Sequence, residues 1–208
     1  MGALLTAWLI AAAAPAQSSL AGVYEIRQME MAGGLELQAN GHFRYALAYG
    51  AVDKESEGDW TFDGQAVRLT TRPMPKEPTF ALVRDSAAPR CALSVSVDWG
   101  RFNWSSPPDV LVTYERNPGE LHLLQADDNG ALHPENCAVT SVSPLVPMFQ
   151  VAGAPLKVSP ATGHRLSLRF VPNDLGHVAF RGEPLKLDSN GLVLERYDAQ
   201  IRFLRVRP

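Results

Sequence analysis

The stretch from Leu35 to Tyr49, LELQANGHFRYALAY, decides the fold class. It carries two apolar rows of period 2, the spacing of residues that share one face of a β-strand. Leu35 and Leu37 form the first row; Phe43, Tyr45, Leu47 and Tyr49 form the second. A two-residue Asn40-Gly41 loop sets Leu37 against Arg44 and Leu35 against Ala46. A three-residue loop, Ala39-Asn40-Gly41, sets Leu37 against Phe43 and Leu35 against Tyr45. Only the second puts both rows on one side of the ribbon, so the buried face selects the register. That loop needs a left-handed residue at its end, and Gly41 supplies it without a Cβ clash.

The motif returns near the other end of the chain. Residues 185 to 193, LKLDSNGLV, repeat L-x-L-x-x-N-G-x with an apolar residue after it, which predicts Leu187 opposite Val193. Between Gly58 and Thr71, an Asp63-Gly64 type I′ turn pairs Trp60 with Val67 and Gly58 with Leu69. The charged run from Asp53 to Glu57 reads as a solvated connection. Pro73, Pro75 and Pro78 mark an extended crossing, because proline donates no ladder hydrogen bond. Strands are expected over Phe80 to Arg84, Cys91 to Trp99, Val110 to Tyr114, Leu121 to Leu124 and Cys137 to Val142. Pro144, Pro147, Pro155 and Pro160 mark an irregular passage. Further strands follow around Leu166 to Phe170, Val178 to Phe180 and Ile201 to Val206.

These readings predict an all-β protein, an antiparallel barrel or sandwich built from both chain ends. Residues 17–85 and 144–208 form that split domain, and 86–143 form a small disulfide-stapled β-sandwich inserted in it. Two consecutive independent domains are the alternative. Cys91 and Cys137 are read as one disulfide. It closes a loop of about 46 residues and contributes roughly 4 kcal/mol in the chain-entropy account.

Residues 1–16 read as a signal peptide, with an apolar run from Leu4 ending at Ala14-Pro15-Ala16. MGALLT also fits an acylation pattern at Gly2. The leader predicts export, periplasmic or secreted, which agrees with a disulfide. The apolar run is about eleven residues, against the ~20 that a spanning helix needs, so no transmembrane segment is expected in the mature chain. A net charge of −3 gives no electrostatic case for nucleic acid. The last fifty residues are locally basic, and Arg165, Arg169, Arg196, Arg202 and Arg205 read as solvated strand faces.

Gly22, Tyr24, Leu35, Leu37, Asn40, Gly41, Phe43, Tyr45, Gly58 and Trp60 write G-x-Y, L-x-L-x-x-N-G-x-F-x-Y and G-x-W. That pattern resembles lipocalin-like small β-barrels of exported bacterial proteins. Residues 108 to 113, PDVLVT, and 126 to 130, ADDNG, resemble the prealbumin-like modules of carboxypeptidase regulatory domains. Both resemblances imply binding or structural parts rather than catalysts.

Two aromatic groups are candidate sites. Phe43, Tyr45, Tyr49 and Trp60 are positioned to line a barrel cavity or to fill a core. Trp99, Phe102 and Trp104 lie in a segment with loop punctuation, where exposed rings stack on a sugar or anchor a protein partner. Asn103-Trp104-Ser105 fits a glycosylation sequon. The five histidines, His42, His122, His133, His164 and His177, are scattered as surface or turn residues without metal-ligand spacing. Asp127, Asn129 and Glu135 do not follow the calcium-loop pattern. No nucleophile-elbow, S-x-x-K or phosphate-loop motif is present. No catalytic residue, metal or cofactor is therefore nominated. The expected function is a non-catalytic exported cell-envelope protein that binds a ligand, glycan or protein partner. A hydrolase of another class, or a purely structural envelope component, is the alternative.

Overall fold

The computed structural model describes residues 14–49, 52–102, 104 and 106–206. Residues 1–13 of the expected leader lie outside the described residues, as do Asn103 and Ser105 of the sequon. The chain divides into two compact units, residues 1–75 with 176–208, and residues 76–175. The elements in chain order are α1 (Ala14–Leu20), β1 (Gly22–Ile26), β2 (Met31–Leu37), β3 (His42–Tyr49), β4 (Val52–Phe62) and β5 (Ala66–Thr71). The second unit holds β6 (Thr79–Ala88), β7 (Leu93–Asp98), β8 (Asp109–Tyr114), β9 (Asn117–Leu124), β10 (Ala131–Leu132), β11 (Val139–Val146), β12 (Val151–Ala152), β13 (Leu156–Lys157) and β14 (Gly163–Val171). The first unit resumes with β15 (Arg181–Asp188), β16 (Gly191–Arg196) and β17 (Ala199–Arg205).

In the first unit eight strands close in the order β1-β17-β16-β15-β5-β4-β3-β2. Closure removes free sheet edges, the liability of any open β-sheet. The opening hairpin has the register its apolar rows demand: Leu35 faces Tyr45, Leu37 faces Phe43, and Gly41 is left-handed with φ +86°. The other two hairpins differ from expectation. Trp60 faces Leu69 and Phe62 faces Val67, so the turn is Gly64-Gln65, and only Gly64 has a positive φ. Asp63 holds it, its carboxylate accepting the Gln65 and Ala66 N–H groups and pairing with Arg68 at 2.7 Å. A slip of two residues keeps every side chain on its face, which is why the apolar pattern alone did not resolve it. In the repeated motif Leu187 faces Leu192, not Val193, across a tight Ser189-Asn190 turn. There the glycine has another purpose: a Cβ on Gly191 would collide with the Phe203 carbonyl of the neighbouring strand.

The run from Asp53 to Glu57 is strand, not a solvated loop. Its acids face outward, while Lys54, Ser56, Gly58 and Trp60 face in. A search for apolar rows passes over a strand whose inward positions are polar or small. The barrel interior is packed by Tyr24, Leu35, Leu37, Phe43, Trp60 and Phe203, among others. Val178 and Phe180, on the segment returning from the second unit, are buried in it too. Thr71 seats that segment. Its hydroxyl accepts the Phe180 N–H at 2.8 Å, donates to the Val178 carbonyl at 3.0 Å, and lies 2.8 Å from the Ser56 hydroxyl.

The second unit has two sheets, β10-β7-β14-β6 and β12-β11-β8-β9, with β13 beside β11. Rows from both, including Val95, Leu166, Leu168, Val110, Val112 and Val142, make one core. The Cys91–Cys137 disulfide joins the chain just before β7 to the chain just before β11, and so staples one sheet to the other. The compact unit runs over 76–175, wider than the expected 86–143. Its extra strands are the short β12 and β13 together with β6 and β14, the last two paired along nearly their whole length from Thr79↔Val171 to Ala88↔Gly163. Alternation identifies the long pair as strands but does not say which sheet receives them.

Candidate functional site

The four expected cavity residues do not share one environment. Phe43, Tyr45 and Trp60 are core, and Tyr45 and Phe43 contact Phe180 edge-on with ring centroids 5.1 and 5.9 Å apart. Rings fill the space that a cavity would need. Tyr49 is 48 % exposed, because at the last position of β3 the strand has run past the packed interior. It does not line a barrel cavity. The Trp60 indole N–H donates to the Gln38 carbonyl at 2.9 Å.

The Tyr45 hydroxyl is different. Tyr45 is only 3 % exposed, yet among the described residues its oxygen has no hydrogen-bond partner. Near it, one end of the barrel carries inward-facing charge. Lys54 comes from β4, Glu183 from β15 and Arg196 from β16, each half-buried. Arg196 pairs with Glu183 at 3.4 Å. Its guanidinium stands 5.1 Å from the Phe180 ring centre and 5.3 Å from that of Tyr197, while the Lys54 ammonium lies 4.2 Å from the same Tyr197 ring. Burial, and then the Arg196 charge, lower the Lys54 pKa. Burial raises that of Tyr45, with Tyr197 adding to the rise and Arg196 opposing it. The charge of Arg196 therefore reaches both groups. Tyr197 and Asp198 form the β16–β17 turn with φ of 57° and 56°, an uncommon conformation for a bulky side chain. Sequence reasoning found Tyr45 but not Lys54, Glu183, Arg196 or Tyr197. The available signal was the acid/non-acid alternation of Asp53 to Asp59.

In the second unit Trp99, Phe102 and Trp104 come together as expected neighbours. They are half-buried and pack on the core rather than standing free. Phe102 meets Phe149 at 5.0 Å and Phe170 at 5.5 Å; Trp104 meets Phe149 at 5.4 Å; Trp99 meets Phe170 at 5.4 Å and Trp104 at 6.3 Å. The Trp104 indole nitrogen is buried without a partner among the described residues.

His164 departs from the expectation of a surface or turn histidine, being buried on β14. Its Nδ1 lies 2.9 Å from both Asp85 oxygens, its Nε2 3.0 Å from the Ser159 carbonyl oxygen and 3.4 Å from the Thr162 hydroxyl. Acid, imidazole and hydroxyl in a row have the outline of a nucleophile relay. The Ser159 carbonyl argues against that role. It only accepts, so Nε2 carries a proton, and Nδ1 faces a carboxylate, so it carries one as well. Burial by itself lowers the His164 pKa, but the Asp85 and Ser159 hydrogen bonds outweigh it and the net shift is upward. A doubly protonated ring donates; it does not take a proton from Thr162. This is a clasp between β6, β14 and the loop before β14, beside a shallow concavity lined by Cys91, Cys137 and Gly163.

Three other histidines face single acids, His177 with Glu55 at 3.2 Å, His122 with Glu120 at 3.7 Å and His42 with Glu57 at 3.9 Å, and His122 also meets the Tyr114 ring at 4.9 Å. No metal-binding group of three ligand side chains occurs among the described residues. The Asp127 carboxylate accepts the Asn129 and Ala131 N–H groups and shapes its own turn. The C-terminal arginines are engaged: Arg169 with Asp98, Arg202 with Asp188, and Arg205 with the Ser19 and Ala21 carbonyls at the end of α1. In comparison with known proteins, no family model, curated protein or solved structure matches the chain.

Proposed function

We propose that this is an exported, non-catalytic binding protein of the cell envelope, lipocalin-like in its barrel, which captures a glycan or protein partner through the aromatic segment of its second unit. One observation carries the reading: Trp99, Phe102 and Trp104 gather into one cluster and keep part of their ring surface exposed. Partly exposed aromatic clusters are the usual anchors of recognition, because they bury large area at small entropic cost. The disulfide is consistent with an oxidising compartment and hence with export.

The test uses full-length protein expressed with its leader. Mass spectrometry of the exported protein should find Gln17 at the new N-terminus. Soluble envelope oligosaccharides and envelope-protein extracts are then titrated by calorimetry. The response should vanish in Trp99→Phe/Trp104→Phe, which keeps a ring at each position and removes the indoles. A response that survives in that variant places binding elsewhere, and retention in the cytoplasm removes the envelope assignment.

A further inference from the structure

We propose that the Cys91–Cys137 disulfide is a thiol-exchange site, opened by a dithiol reductant while the second unit stays folded, and that its opening loosens one end of the sandwich. The reductant's thiolate attacks Cys91 Sγ. The S–S bond breaks, and Cys137 Sγ leaves with the bonding pair and takes a proton from water. The second thiol of the reductant then displaces Cys91 and closes its own disulfide. Two electrons pass from the dithiol to the two cysteines. The site lies wholly within the second unit and does not rest on partner capture by the aromatic segment.

Three observations meet at this disulfide. The first is access. Cys91 is exposed and Cys137 half-buried, and both line the shallow concavity with Ala92, Pro134, Thr162 and His164. Exchange needs an attacking sulfur to reach the bond, so exposed disulfides are the labile ones. The difference in exposure directs the attack to Cys91. The second is the backbone that carries Cys91. Residues 89 to 92 make a turn closed by the Ala92 N–H donating to the Pro89 carbonyl at 2.9 Å. Cys91 is its third residue, with φ 72°. A turn with a left-handed third residue ordinarily takes glycine or asparagine there. Any other residue stays only where its surroundings hold it. Here the disulfide restrains the side chain, and the turn lies against β14. The Ala92 carbonyl accepts the His164 N–H at 2.8 Å, and a Cβ on Gly163 would collide with the Pro89 and Ala92 carbonyl oxygens. Opening the bond removes one restraint and frees Cys91 to adopt a negative φ. The third is what the bond connects. It ties the chain before β7 to the chain before β11, across the two sheets, while the core of Val95, Val112, Val142 and Leu166 contains neither cysteine. Loss of the bond therefore loosens that end of the sandwich and leaves its centre packed.

The experiment is a timed reduction of full-length, oxidised protein by dithiothreitol without denaturant, with thiols trapped by iodoacetamide and counted by mass spectrometry. Both cysteines should appear as thiols, at a rate unchanged by urea well below the unfolding transition. A rate that climbs steeply with urea means that the bond opens only in unfolded protein, and overturns the proposal. So does a bond that survives the reductant. Glutathione, a monothiol, identifies the sulfur attacked: under early acid quench its mixed disulfide should sit on Cys91 with Cys137 free, and an adduct on Cys137 instead overturns the assignment. Hydrogen exchange reads the consequence. The His164 and Glu115 amides donate to the carbonyls of Ala92 and Ala138, one beside each cysteine. Both should exchange at least tenfold faster in the reduced protein, with the amides of the sandwich centre still protected. Equal exchange in the two forms contradicts the loosening, and loss of protection throughout the second unit contradicts opening in the folded state.

Discussion

At Gly41 the backbone needs a left-handed φ, and a Cβ there would meet nothing nearer than the Trp60 carbonyl oxygen at 3.7 Å. At Gly191, in the same place of the repeated motif, φ is not positive but the Phe203 carbonyl occupies the space of a side chain. Replacement by alanine should separate the two roles. Gly41→Ala is expected to cost about 1 kcal/mol, the price of one left-handed non-glycine residue. Gly191→Ala must push β17 away from β16 and is expected to cost about 3 kcal/mol, the upper range for a single substitution. Urea midpoints of the two variants give the comparison, and equal shifts would contradict it. Thr71 offers a second residue-scale check. Thr71→Val keeps the shape but strands the buried Phe180 N–H and the Ser56 hydroxyl, so a loss of about 2–3 kcal/mol is expected. A near-neutral result in the same unfolding assay would show that the returning segment is held by Val178 and Phe180 burial alone.

Among elements, β6 and β14 share the clearest pH-sensitive contact. His164 is held protonated between Asp85 and Ser159, and its pKa in the folded protein lies above the ordinary value. The folded state thus binds that proton more tightly than the unfolded chain. Its contribution to stability is complete below about pH 6.5 and is lost as pH rises through the folded value. Denaturant midpoints should fall from mildly acidic to mildly alkaline pH, and Asp85→Asn should flatten the slope. A slope unchanged in Asp85→Asn would assign it to another group. At the same scale, β4 shows why some elements escape a sequence reading. Its inward row of Lys54, Ser56, Gly58 and Trp60 has the strand period but lacks the apolar signal. Only its partners on β3 and β5 make those positions interior ones.

For the whole molecule, the insertion has a simple consequence. The chain leaves the barrel where the Arg72 N–H donates to the Glu57 carbonyl, and returns where the Glu55 N–H donates to the Gly176 carbonyl. Those two points sit two residues apart on β4, about 7 Å at strand spacing. Replacing 76–175 by a short Gly-Ser linker should therefore leave a folded barrel, read as a retained cooperative melt and Trp60 fluorescence in a non-polar environment. Loss of cooperative melting would make the barrel dependent on the second unit. Cys91→Ser/Cys137→Ser should destabilise the second unit by about 2–5 kcal/mol and spare the barrel, which holds neither cysteine. Two transitions that shift together on loss of the disulfide would show one cooperative unit instead.

The apolar rows at Leu35–Tyr49 determined, without any structure, that this chain is antiparallel β and where the first hairpin turns; the repeated motif at 185–193 left a split barrel and two consecutive domains both open, and strand closure decided between them. Cysteine content and the leader pointed to the disulfide in the same way. These features are local: a period, a parity or a pair count carries them. Pairing partners are not local. Whether Trp60 meets Val67 or Leu69, whether β6 joins the barrel or the inserted sheets, and whether Gly191 serves a turn or a close approach all depend on which strand lies alongside. The meeting of Tyr45, Lys54, Glu183 and Arg196 depends on it most of all. They are drawn from two hairpins far apart in sequence, β3–β4 and β15–β16, and only barrel closure points their side chains at one end.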